Sequence, residues 1–168
     1  MIPRKSELTT FQYTKITGEI LHCGEYCIID DFVLITTPIW LGNHVHVAAG
    51  CTLLGAERVY LNDYCAIASG SRVFTSTDRH SSDDGTPTAM SAAAPLALRA
   101  PYTAAVTLGR HAFVGANSVV MPGVLFGPGA VIGANSFVPP DTALEEWTIY
   151  VGSPVKPIKK RPKIIGET

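Results

Sequence analysis

From Thr17 onward the chain repeats every six residues: a large aliphatic residue, often followed by glycine, then polar or small positions, with a small or apolar residue at the fifth place. The pattern runs through TGEILH, CGEYCI, IDDFVL, ITTPIW, LGNHVH, VAAGCT, an eight-residue LLGAERVY, LNDYCA, IASGSR and VFTSTD, then resumes as LGRHAF, VGANSV, VMPGVL, FGPGAV, IGANSF and VPPDTA. Of these sixteen units, fourteen begin with Ile, Leu, Val or Phe, and seven carry glycine second. Six residues suit a short strand followed by a sharp corner, and repetition at a fixed short period is the mark of a solenoid. The first residue of each unit is expected to point inward and the fifth to fill the space beside a corner. Each unit then adds a slice of one continuous core, with roughly 4.8 Å between coils. Cys23, Cys27, Cys51 and Cys65 all take first or fifth positions, which predicts small core residues rather than disulfides or metal ligands.

The repeat, the stretch LNDYCAIASGSRVF before the interruption and LGRHAFVGANSVVMPGVLFGPGAVIGANSFV after it, and the ending YVGSPVKPIKKRP together resemble the hexapeptide-repeat acyltransferases, in their sugar acetyltransferase branch. The pairing of GTPT with WTIYVGSP is similar to the enzymes of surface-polysaccharide assembly, lipopolysaccharide or capsule. The resemblance implies an all-β, left-handed parallel β-helix with three hexads per coil. A single domain over residues 1–168 is expected, with the β-helix at about 17–143, a long loop at about 79–107 and a C-terminal segment at 144–168.

Composition narrows the partners. With 13 Lys and Arg against 14 Asp and Glu the net charge is -1, so no global field favours nucleic acid. Charges near the start and the lack of any long apolar run predict a soluble, cytoplasmic protein with no membrane insertion.

Acyl transfer needs a base near the acceptor, donors for the developing oxyanion, and a surface for the carrier. In the family the resemblance names, a loop from the β-helix forms a cleft against a neighbouring subunit and supplies the catalytic histidine. His80, in the long loop, is therefore the first candidate base, with Asp78 or Asp83 available to orient its ring; the alternative is a solvated loop histidine. His46 is the second candidate. Three hexads per coil put residues 46, 66 and 113 at one position on successive turns if LGRHAF continues the stack, about 10 Å apart over two coils. His22, His44 and His111 are expected to be outward polar residues.

The resemblance implies acetyl-CoA as donor, with its pantetheine arm lined by Phe113, Ala116, Asn117, Ala134, Val138 and Pro139. The phosphates would then meet the basic cluster Lys156, Lys159, Lys160, Arg161 and Lys163, with Lys159 the best match. Loop hydroxyls and carboxylates, Ser76 and Asp83 among them, suit a polyhydroxylated acceptor. The leading expectation is O-acetylation of a sugar. N-acetylation of a nucleotide-linked amino sugar is the alternative, and a non-catalytic β-helix scaffold a further one. No metal is expected, since the histidine spacing of a zinc anhydrase on this fold is missing. Outward aromatics at Phe32, Trp40, Tyr64 and Phe74 fit the family's homotrimer.

Overall fold

The computed structural model describes residues 8–164; the first seven and last four residues of the expected domain lie outside the described residues. Short strands stack into three parallel sheets, the faces of a prism. Face I holds Thr9–Thr10, Ile28–Ile29, His46–Val47, Ala66–Ile67, Phe113–Val114, Val131–Ile132 and Thr148–Val151. Face II holds Lys15–Ile16, Leu34–Ile35, Thr52–Leu54, Arg72–Phe74, Val119–Val120 and Phe137–Val138. Face III holds Ile20–Cys23, Ile39–Leu41, Val59–Leu61, Val106–Leu108, Leu125–Phe126 and Ala143–Leu144. This is the expected parallel β-helix. Among the described residues the only helical element is the three-residue turn Leu96–Leu98.

The hexad rule holds inside the prism. First-position residues such as Ile29, Leu41, Leu53, Ile67, Val114 and Ile132 are fully buried, as are the fifth-position residues Val33, Val45 and Ala130. Each buried aliphatic side chain contributes roughly 1.5–3 kcal/mol, so the core is built from many equal increments rather than one large cluster. Cys27, Cys51 and Cys65 are buried and all four cysteines are free. Burial, the dominant cause, pushes the Cys65 thiol up to about 12.

The boundaries differ from the expectation at three places. The coils begin before Thr17, because Thr9–Thr10 and Lys15–Ile16 already pair in parallel with Ile28–Ile29 and Leu34–Ile35. Their Thr and Lys content hides the period. At the other end Thr148–Val151 still belongs to face I, with Tyr150 turned inward, and Lys156–Lys160 closes the sheet antiparallel. The loop also starts earlier than residue 79 and ends before 107. Ser76–Asp78 leaves the coil to pair antiparallel with Pro101–Thr103, and Val106–Leu108 is again a coil strand.

That excursion leaves and returns at the corner between faces II and III. Its bonds to the coils are made there: the Ala56 N–H donates to Ser76 Oγ at 3.0 Å, the Ala104 N–H to the Thr75 carbonyl at 3.0 Å, and the Tyr102 hydroxyl donates to Asp141. The Arg79 guanidinium lies 4.5 Å over the Tyr102 ring, and the bond to Asp141 holds the Tyr102 hydroxyl protonated above its ordinary range.

Candidate active site

Side chains at alternate positions of each strand point outward, and parallel register stacks them in straight rows. On face I the outward row runs Ile28, His46, Ala66, Phe113, Val131, Ile149 and Lys159. The condition set by the sequence is met, since Phe113 follows Ala66 directly although 46 residues separate them in the chain. At roughly 4.8 Å per step, His46 and Phe113 are about 10 Å apart, and Phe113 and Lys159 about 14 Å.

His46 is half-exposed, and its Nε2 lies 3.0 Å from Asp30 Oδ2. Asp30 stands at the corner between faces I and II, where it lines a cavity of about 240 Å³ with Phe11, Asp31 and Ala49. Along the same corner come Ala116, Asn117 and Ala134, beside Phe113. The N–H groups of Ala49, Ser69, Ala116 and Ala134 find no acceptor among the described residues, while those of the flanking Gly115, Asn117 and Asn135 are bonded between coils. The corner thus presents a column of backbone donors to a ligand. Gly115 lets successive coils meet closely at this corner, since a side chain there would collide with the backbone of Gly133 and Ala134.

Two of the expected carrier residues do not join this group. Val138 is 0% exposed, a first-position residue pointing into the core, so it cannot line an arm lying on the surface. Pro139 follows it at the corner between faces II and III, a full face away from Phe113. The basic cluster also divides. Lys160 Nζ bonds Glu145 at 2.9 Å and Thr148 at 2.7 Å, and Lys163 pairs with Glu146 at 3.5 Å. Arg161 donates to the His111 carbonyl at 3.1 Å and lies over Trp147. Lys156 and Lys159 are exposed and form no ion pair among the described residues, which leaves Lys159, at the head of the row, available to an anion.

The loop residues form a different assembly. The expected pairing of His80 with Asp78 or Asp83 is not made. Both oxygens of Asp78 accept from Arg99, at 3.0 Å from Nε and 2.8 Å from Nη2, and Asp83 pairs with Arg79 at 2.7 Å. The Asp78 side chain is only 9% exposed and that of Arg99 20%, so this bidentate pair staples the stem of the loop. His80 is exposed, and its ring has no polar partner among the described residues. Arg99, which no motif or spacing singles out, lies between two clefts. One, of about 340 Å³, is lined by Ser76, Thr77, Asp78, Thr103 and Arg99 with Ala56, Ala92 and Pro101; the other, of about 350 Å³, by Ser82, Thr86, Thr88, Leu98 and neighbours.

His44 and His111 are more than outward polar residues. Tyr26, His44, Tyr64 and His111 stack in a ladder with centroids 4.8–5.1 Å apart, continued by Trp147 at 6.1 Å. They are the fourth residues of their hexads, each at a left-handed φ between 49° and 61° on the corner between faces III and I; the first four recur every third hexad, and Gly129 takes the intervening position between His111 and Trp147, against the Trp147 ring. The signal in the sequence is an aromatic or imidazole ring at the fourth position, repeated at a spacing of three hexads. His22 likewise stacks on Trp40 at 4.3 Å. Among the described residues no group of three or more His, Cys, Asp or Glu side chains could hold a metal ion, and no helix is long and apolar enough to cross a membrane.

Residues 105–139 match the hexapeptide repeat of succinyl-transferase. A dTDP-4-amino-4,6-dideoxy-D-glucose acyltransferase from Escherichia coli is 30% identical over 147 residues, which cover 86% of this chain and 73% of that protein. The chain belongs to the hexapeptide-repeat acyltransferases. Crystal structures of AntD, an N-acyltransferase from Bacillus cereus, agree in fold. The complex with dTDP and 3-hydroxybutyryl-CoA superposes with a TM-score of 0.82 at 29% identity, covering 94% of this chain and 81% of that one. A maltose O-acetyltransferase from Clostridium difficile 630 shares the fold at 21% identity, with a TM-score of 0.61 over 80% of this chain and 66% of that one.

Proposed function

We propose that this acyltransferase moves an acyl group from acyl-CoA to the amine of a nucleotide-linked amino sugar, forming an amide. The observation that carries the reading is the straight outward row from His46 to Lys159 beside a column of backbone N–H groups that have no acceptor among the described residues. A phosphopantetheine arm contains about thirteen chain bonds from phosphorus to sulfur, equivalent to about four residues of extended chain, or roughly 15 Å. A phosphate on Lys159 would therefore bring the thioester to the level of Phe113 and Ala66. His46 then lies within reach of the reacting atoms, and the amides of Ala116 and Ala134 can take the pantetheine and thioester oxygens. Phe113, Ala116, Asn117, Ala134 and Lys159 are the proposed carrier residues.

The amine is preferred to the hydroxyl because the Escherichia coli and Bacillus cereus relatives are named for dTDP-4-amino-4,6-dideoxyglucose or for N-acyl transfer. Acyl groups longer than acetyl are admitted, since AntD binds 3-hydroxybutyryl-CoA. In a three-sided prism the corner between faces II and III lies opposite face I, so a loop held there cannot cover the carrier row of its own chain. A neighbouring copy can bring its loop to that row, which supports a homotrimer with the acceptor bound between copies. Ser76 and the clefts around Arg99 are then the proposed acceptor contacts, and His80 would approach the row from the neighbour. The test is acceptor-dependent release of CoA thiol across free sugars, nucleotide-linked sugars and their amino derivatives. Fast turnover confined to amino derivatives supports the reading, and no release with any acceptor rejects it.

A further inference from the structure

We infer that Asp30 is the positioning residue of a His46 general base, and that its hydrogen bond selects which ring nitrogen receives the acceptor's proton. This assignment rests on the acyl-transfer reading. Asp30 Oδ2 lies 3.0 Å from His46 Nε2. A carboxylate only accepts, so neutral His46 carries its hydrogen on Nε2 and leaves the Nδ1 lone pair open.

Asp30 is itself held. Its backbone carbonyl accepts from Thr14 Oγ1 at 2.9 Å, and the neighbouring Asp31 carboxylate accepts the Tyr13 N–H at 2.8 Å. The turn at Phe11–Thr14 thus holds the Asp30 backbone and the Asp31 carboxylate at the corner, and the Asp30 carboxylate is left to His46. The side chains flanking His46 along its row, Ile28 and Ala66, carry no charge and offer the ring no competing polar partner.

In the reaction the acceptor nitrogen attacks the thioester carbonyl carbon and forms a tetrahedral adduct with an oxyanion and a positively charged nitrogen. His46 Nδ1 takes one proton from that nitrogen. The adduct collapses, the C–S bond breaks with its electron pair going to sulfur, and the proton on Nδ1 passes to the thiolate. CoA thiol and amide leave, and His46 returns to its starting form. Throughout, the Nε2–H remains donated to Asp30, whose negative charge stabilises the transient imidazolium.

The test compares Asp30→Asn, Asp30→Ala and His46→Ala in steady-state thiol release, with the His46 tautomer read from its ring nitrogen shifts by NMR. An asparagine amide can donate to Nε2 and reverse the tautomer, blocking Nδ1, whereas alanine leaves both tautomers accessible. Asp30→Asn is therefore expected to lose about 10²-fold or more in kcat with KM for both substrates nearly unchanged, within the range of general base catalysis. Asp30→Ala is expected to lose less, about tenfold, and the double variant Asp30→Asn with His46→Ala no more than His46→Ala alone. A merely structural role predicts the opposite order, since alanine removes more than asparagine. Turnover by the wild type that is insensitive to Asp30 and His46 changes, or lost only with His80→Ala, overturns this assignment while sparing the acyl-transfer reading. No turnover by the wild type with any acceptor removes both.

Discussion

Between faces I and II, three buried serines link successive coils, and their contribution can be worked out bond by bond. Ser71 Oγ donates to the Gly115 carbonyl at 2.9 Å and accepts the Ser118 N–H at 3.3 Å. Ser118 Oγ donates to the Gly133 carbonyl at 3.1 Å and accepts the Ser136 N–H at 3.2 Å. Ser136 Oγ accepts the Gly152 N–H at 3.3 Å. Ser118→Ala would therefore leave one carbonyl and one buried N–H without partners. At roughly 1–3 kcal/mol for each group, the loss is about 2–6 kcal/mol. For a domain of this size each kcal/mol shifts Tm by about 2–4 °C, so a fall of about 4–24 °C is expected. Thr52 provides the matched control, because its Oγ1 is buried with no hydrogen-bond partner among the described residues. Thr52→Val keeps the shape and removes an unsatisfied hydroxyl, so it is expected to be neutral or stabilising. Thermal and urea unfolding followed by circular dichroism measures both. Equal effects of the two substitutions, or a loss below about 0.5 kcal/mol for Ser118→Ala, would show that the serine bonds do not hold the coils together.

Lys159→Glu is expected to raise KM for acyl-CoA about tenfold or more with little change in kcat, because a charge-assisted contact to phosphate is made equally in ground and transition states; steady-state kinetics at fixed ionic strength checks it. The cysteines are expected to react very slowly with a disulfide reagent in the native protein and fully in urea. Burial protects Cys27, Cys51 and Cys65, and burial followed by the neighbouring Cys27 pushes the Cys23 thiol up to about 12. Asp84 accepts from Ser82 Oγ and the Thr86 N–H, which lower its pKa to about 2. Since the folded value lies below the ordinary one, the turn it holds is complete above the usual carboxylate range and lost as pH falls toward 2. The Thr86 amide signal, followed by NMR in wild type and Asp84→Asn, is expected to show that transition only in the wild type.

The solenoid is legible because its period is dictated by packing: Ile29, Val47, Ile67 and Val114 must all enter one core, and nothing in the chain overrides that. The same arithmetic carries His46, Ala66 and Phe113 into one row across the long interruption. What the pattern does not carry depends on partners rather than on period. Resemblance places Val138 at the carrier, although its own hexad position turns it inward. Proximity in sequence puts Asp78 and Asp83 beside His80, but Arg99 and Arg79 take them, and a pairing between residues 78 and 99 leaves no periodic trace. The loop stem is hidden because Ser76–Asp78 continues the hexad frame in sequence while leaving the coil in space. Asp30 likewise gives no sign in the sequence of its partnership with His46, since only the stacking of face I on its corner brings the two together.

Amide formation on a nucleotide-linked amino sugar stands or falls on one comparison. Two acceptors that differ only in an amine or a hydroxyl at the same carbon are offered to the enzyme, and kcat/KM from thiol release is measured together with the product's mass. A preference for the amine of about 10²-fold or more, with an acylated product that resists mild base, is the expected result. Equal or faster transfer to the hydroxyl, yielding a base-labile ester, would contradict it.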